Sequence, residues 1–202
     1  MVVAQRLTAD DWAEAALAAI GERGLAGVAV EPLATRLGTT KGSFYWHFTN
    51  RDALVVAALD LWERTYTDDV FRAVEAAGGP EERLRALFGA VTRSELAPVE
   101  VNLHAAADNP LLAPAVRRAV DRRTAWVADR LRELGFAPED ARRRALLAYS
   151  TWLGHIQLTV RMPEFITPDH AAYLDTIFDA VLGRPSRGER KTGGERTTGG
   201  KR

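Results

Sequence analysis

The chain has 202 residues, an apolar fraction of 47%, no cysteine, and 27 Lys/Arg against 27 Asp/Glu. That is enough for one sizeable domain, or a small one joined to a larger one, around a buried core. The missing cysteines exclude disulfides, thiolate metal sites and thiol redox sensing, and without an 18-residue apolar run no segment reads as a helical membrane span.

The opening residues MVVAQRLTADD lack the layout of a secretory signal, so a cytoplasmic protein is expected. Helical periodicity then dominates, and no segment reads as a strand. Thr8 is the expected N-cap of a first helix, with Asp11 as its capping-box partner and Trp12, Ala16, Ala19 and Ile20 as its inner stripe. Gly24 and Gly27 punctuate. A short second helix follows over about residues 31–37, with Pro32 in its first turn and Gly38 at its end. Thr39 or Thr40 caps a very short third helix running to about His47. Asn50 caps a long fourth, about residues 51–77, which spans about 40 Å if regular. Its stripe is Val55, Leu59, Trp62, Tyr66, Val70 and Val74.

Gly78, Gly79 and Pro80 separate that helix from a fifth at about 81–93. Pro98 opens a sixth to about Ala107, and a seventh covers about 114–134. The eighth, about 138–161, is apolar nearly all round from Ala145 onward, which places it against partners on more than one side. The ninth is about 169–182. The last nineteen residues, 184–202, hold seven Lys/Arg against two Glu and almost nothing apolar, so they read as a disordered basic tail of about +5 that balances a body of about −5. The expected fold is all-α, about nine helices. A three-helix helix-turn-helix head at 1–50 is joined by one long helix to a helical body at 51–183, followed by the tail.

The segment GTTKGSFYWHF sets Phe44, Tyr45 and Trp46 side by side. Successive helical residues are about 100° apart, so three adjacent rings cannot share one buried face. Phe44 and Phe48 fall together and mark the packed side, which turns Gly42 and Trp46 outward with Ser43 and Tyr45 beside them. An exposed helical glycine costs about 1 kcal/mol relative to alanine. Close approach by another molecule gives it a purpose. Helix, glycine-containing turn, helix is the arrangement that presents its second helix to the DNA major groove. Thr39, Thr40 and Ser43 suit base edges, and Trp46 suits a thymine methyl. Tyr45, His47, Lys41 and Arg51 suit phosphate.

The run LATRLGTTKGSFYWHFTNRDAL resembles the N-terminal DNA-binding domain of the TetR family of bacterial regulators, with Ala34, Gly38, Gly42, Tyr45, His47, Phe48, Arg51 and Leu54 in order and spacing. The resemblance covers roughly residues 8–60. It implies recognition of double-stranded operator DNA by the third helix, a small-molecule effector in the body, and a homodimer formed through helices 138–161 and 169–183. The head departs from a bulk basic character, with Arg6, Arg23, Arg36, Lys41 and Arg51 against Asp10, Asp11, Glu14, Glu22, Glu31 and Asp52. Val30 stands where Ser or Thr is expected to cap the second helix.

In the body, Tyr66, Phe88, His104, Trp126, Tyr149, Trp152 and His155 are the candidates for lining an effector cavity, with Phe71 and Gln157 beside them. Four histidines show no HExxH spacing, and neither Walker nor GxGxxG patterns occur, so no catalytic residue, cofactor or metal is expected. These features point to a ligand-responsive DNA-binding repressor, released from a palindromic operator by its effector. The alternative is a small-molecule-binding protein or enzyme on the same all-α body without operator binding.

Overall fold

The computed structural model describes residues 7–92, 95, 97–166 and 169–183; the expected disordered tail lies outside them. The described residues contain helices and no strand, and none of these helices is long and apolar enough to cross a membrane. Helix α1 is Ala9–Arg23. The Thr8 hydroxyl accepts the Asp11 backbone N–H at 3.2 Å while the Asp11 carboxylate accepts the Thr8 backbone N–H at 2.6 Å, completing the expected capping box. These bonds, the backbone one foremost, hold the Asp11 carboxyl below its usual range.

Helix α2 is Val30–Arg36, α3 is Lys41–Tyr45 and α4 is Arg51–Glu63. The N-cap of α2 is Ala29, so Val30 is the first helical residue rather than a cap lacking its hydroxyl. Asn50 caps α4 by accepting the Ala53 N–H at 2.8 Å.

The expected regular helix over 51–77 is interrupted. Arg64–Asp68 form a wide π turn, after which α5 continues as Asp69–Glu75. The cause is a side chain inserted into the ladder: Arg123 donates from Nε to Thr67 Oγ1 at 3.0 Å and from Nη2 to the Tyr66 carbonyl at 3.3 Å. Periodicity cannot show this, because the apolar stripe continues through the turn. The remaining helices are α6 Pro80–Val91, α7 Ala97–Ala105, α8 Ala113–Glu133, α9 Pro138–Arg161 and α10 His170–Leu182.

Two larger cores organise these helices, with a smaller cluster of Ala97, Val101, Trp152 and Ile156 between α7 and α9. The first gathers Trp12 and Ile20 of α1, Leu33 of α2, Phe44 of α3 and Leu54, Leu59 and Trp62 of α4, and extends to Val99 and Leu103 of α7 and Val116 of α8. The packing beneath the head therefore continues into the body. Phe44 meets Trp12 edge to face at 5.4 Å and stacks on Phe48 at 5.6 Å. Truncating a ring of this kind to alanine in a packed core costs about 3–5 kcal/mol. The second core holds Leu84 and Phe88 of α6, Leu131 of α8, Ala141 and Ala145 of α9 and Phe178 of α10.

Candidate functional site

Helix α2 ends in a turn that fixes the angle to α3. Thr39 N donates to the Ala34 carbonyl at 2.9 Å and Gly38 N to the Thr35 carbonyl at 3.1 Å, the paired bonds of a Schellman motif. Gly38 has φ of +63°, which L side chains adopt only with strain. Thr40 then caps α3, accepting the Ser43 N–H at 3.4 Å, so its hydroxyl is engaged with the helix end.

The short α3 is two-faced in the expected sense. Phe44 is fully buried, whereas Trp46 is 85% and Tyr45 57% exposed. Lys41 and Gly42 are also exposed, and Thr39, Ser43 and His47 are half-buried. A Cβ built on Gly42 meets only Thr40 Oγ1, at 3.5 Å, so nothing within the head requires glycine there.

Two of the cations have partners within the head. Lys41 Nζ pairs with Glu31 at 2.9 Å across the turn, an exposed pair that raises the lysine's pKa through that hydrogen bond and its charge. Arg51, expected at a phosphate, instead donates from Nε to the Val28 carbonyl at 2.7 Å and from Nη2 to the Leu25 carbonyl at 2.7 Å. It braces the start of α4 against the loop ahead of α2. Sequence spacing cannot reveal those acceptors, because they lie 23 and 26 residues away.

The body contains a cavity of about 100 Å³ between α5, α6, α7, α8 and α9. Of the residues expected there, Tyr66, Phe88, Tyr149, Trp152 and also Phe71 line it. Trp126, His104 and His155 do not. Trp126 stacks on Phe71 at 5.0 Å, lies under Arg130 and donates to Glu75 Oε1 at 3.2 Å, so a neighbouring ion cluster occupies its polar edge. His104 stands behind the wall: its Nδ1 lies 2.8 Å from the Glu100 carbonyl, which can only accept. Nδ1 therefore carries the proton, and in the neutral ring Nε2 accepts from the Tyr149 hydroxyl at 2.7 Å. His155 is buried against Tyr173 of α10, 5.3 Å between ring centroids.

The wall contains two charged residues that pattern reasoning missed, Glu100 and Arg123, 4% and 9% exposed. Arg123 donates to both carboxylate oxygens, at 3.1 and 2.9 Å, and Trp62 Nε1 donates to Glu100 Oε1 at 3.0 Å. Burial opposes the Arg123 charge, but Glu100 outweighs it and raises the guanidinium's pKa. Burial is also the main reason that the Tyr149 phenol is pushed up to about 12, against the pull of the Arg123 charge, so it keeps its proton at neutral pH. Glu100 lies between Val99 and Val101 and Arg123 lies in the polar run Asp121 to Thr124, and sequence offers no sign that the two face each other across 23 residues.

Helix α7 touches both halves of the molecule. Glu100 reaches Trp62 of α4, and two residues on, Asn102 Nδ2 donates to the Ile20 and Gly21 carbonyls at the end of α1, at 2.8 and 2.9 Å. On α9, Leu146 and Leu147 are 58% and 48% exposed, and Gly154 has open space where a side chain would stand.

Comparison with known proteins follows this division. Residues 13–58 match the family model described as bacterial regulatory proteins, tetR family. The chain is 41% identical over 63 residues to the HTH-type transcriptional regulator TtgR of Pseudomonas putida; that stretch is 31% of this chain and 30% of TtgR. The match thus spans less than a third of the curated relative's length. A transcriptional regulator from Rhodococcus sp. Rha1 superposes with a TM-score of 0.70 at 25% identity, covering 88% of this chain and 95% of that one. FadR of Bacillus subtilis, solved with stearoyl-CoA, superposes with a TM-score of 0.66 at 15% identity over 87% of this chain and 98% of its own. The head thus carries the signature of the tetR family of bacterial regulatory proteins over residues 13–58, and the whole chain is similar in fold to a solved transcriptional regulator.

Proposed function

We propose that the protein is a homodimeric, ligand-responsive, DNA-binding transcriptional regulator that represses from a pseudo-palindromic operator and leaves it when an effector enters the body cavity. The observation that carries the DNA reading is Trp46, the C-cap of α3, 85% exposed while Phe44 seals the other side of the helix against the head. A large apolar ring left in water beside a glycine suits a surface completed by a duplex. Trp46 meets a thymine methyl, Thr39 and Ser43 approach base edges, and Lys41, Tyr45 and His47 contact phosphate. Lys41 exchanges its exposed Glu31 partner for a phosphate at little cost, because such surface pairs contribute about 0–1 kcal/mol.

The mobility of DNA from the region flanking its own gene tests this directly. Lys41→Ala is expected to weaken binding on all sequences and to reduce the slope of log K against log salt by about 1. Trp46→Ala is expected to relax preference at one base step by about 1–3 kcal/mol, read by competition with single-substitution operators. Unchanged binding in both variants overturns the DNA-facing assignment.

Dimerisation is supported by the outward stripe of α9, where Leu146 and Leu147 share a face with Ser150 and the unfilled space at Gly154. In a dimer the two α3 helices meet successive major grooves when about 34–36 Å apart. Leu147→Asp is expected to shift the protein to monomer in sedimentation equilibrium, and with it to remove operator binding; a wild-type monomer overturns the reading.

Effector response is supported by the cavity and by the FadR neighbour solved with stearoyl-CoA. Ligand at the Glu100 wall displaces α7, and α7 carries the change to α4 through Trp62 and to α1 through Asn102. A hundredfold loss of operator affinity corresponds to about 2.7 kcal/mol, which the ligand supplies only through unequal affinity for the two states.

A further inference from the structure

A second, polar cleft of about 280 Å³ lies where the head meets the body, lined by Glu22, Arg23 and Gly24 at the end of α1, Asn102 of α7 and Arg161 at the end of α9. Asn102 is two residues, or about 200° of helical turn, from Glu100, so α7 stands between this cleft and the body cavity. Gly21 draws the walls together. A Cβ there would stand 3.1 Å from Val99 Cγ2, so α1 presses on α7 more closely than a larger residue allows without adjustment.

The charges at this cleft do not cancel. Glu22 is the acid among its lining residues, and Arg36 already donates to both of its oxygens, at 2.7 and 2.6 Å. Arg23 makes no hydrogen bond or ion pair among the described residues. Arg161 donates from Nη2 to Asn102 Oδ1 at 2.9 Å, which leaves Nε and Nη1 unengaged among the described residues. Three arginines against one carboxylate leave two positive charges. The backbone carbonyls that would repel an anion are covered, since Asn102 Nδ2 donates to those of Ile20 and Gly21 at 2.8 and 2.9 Å, and Gly24 N donates to that of Ile20 at 2.8 Å. One arginine at a helix C-terminus is accounted for by the helix dipole. Two from different helices, lining one cleft with donors to spare, are not.

We infer that this cleft is a binding site for a small phosphate-type oxyanion, held between Arg23 of the head and Arg161 of the body. The planar guanidinium fork matches the oxygens of a phosphate, and its charge strengthens each hydrogen bond. A space of this size admits free phosphate or a small phosphate ester and excludes a duplex. The bound anion links α1 to α9, and so ties the head to the body at a place separate from the body cavity and independent of any effector there.

The full-length protein at pH 7 is titrated with inorganic phosphate and, separately, with glycerol 3-phosphate, against sodium chloride at equal ionic strength, by calorimetry and thermal shift. Phosphate also stabilises folded proteins in general, through exclusion from their surface, so the quantity measured is the saturable part that depends on the two arginines. Expected is a saturable rise in melting temperature with a Kd of about 1 mM. Arg23→Gln and Arg161→Gln are each expected to weaken it about tenfold, and Arg117→Gln, at an exposed position outside the cleft, to leave it unchanged. Arg161→Gln also removes the bond to Asn102; Arg23→Gln breaks no hydrogen bond among the described residues and carries the test if the first variant melts early. Saturation by phosphate alone supports the free ion as the ligand, and tighter binding of the ester supports a phosphate ester. A rise that stays linear in concentration, or a Kd in Arg23→Gln equal to that of wild type, overturns the inference.

Discussion

Arg123→Ala is expected to destabilise the protein by about 3–5 kcal/mol, among the largest single effects available in this fold. The substitution leaves Glu100, 4% exposed, as a buried carboxylate with Trp62 as its remaining close donor, and it withdraws the side chain that fills the π turn at Tyr66 and Thr67. Urea denaturation at pH 7 reads the effect. Replacing both partners, Arg123→Met with Glu100→Met, should recover most of the loss, since two apolar side chains leave no orphan charge. A single variant within about 1 kcal/mol of wild type would sink the assignment of this pair as a buried, mutually dependent unit.

Gly42→Leu is expected to act in the opposite sense on the free and bound protein. The backbone there is helical and a Cβ meets only Thr40 Oγ1, at an ordinary 3.5 Å, so a side chain fits without strain. Removing a helical glycine favours the free head by roughly 0.5–1 kcal/mol. The same side chain stands on the exposed face between Lys41 and Trp46 and holds α3 off a duplex, so operator affinity should fall by about 100-fold, or about 2.7 kcal/mol. Thermal melting without DNA and mobility shift with it separate the two effects. A variant that melts higher and binds as before removes the reason given for glycine at this position.

The two-sided character of α3 was legible because its signals are local. Phe44 and Phe48 lie four residues apart, which fixes the buried side of α3 by geometry alone, and Gly38 marks the turn that its positive φ requires. The capping box at Thr8 and Asp11 is equally short-range. Arg51 and the cavity wall were not legible for the opposite reason. Arg51 answers carbonyls in a preceding loop, and Glu100 and Arg123 find each other across two helices. Trp126 shows how a correct local observation misleads. It does lie close to Arg130, as its helical spacing suggests, but that cation and Glu75 take up its ring face and its N–H.

The interruption at Arg64–Asp68 changes how the long connection between head and body behaves mechanically. A beam of uniform stiffness hands on every tilt at one end to the other, whereas a jointed beam yields first at its joint. Here the joint is held by a wedge, Arg123, that also forms one wall of the cavity. Whatever loosens the wedge decides whether the two lengths swing as one piece, so the joint and the cavity wall yield together.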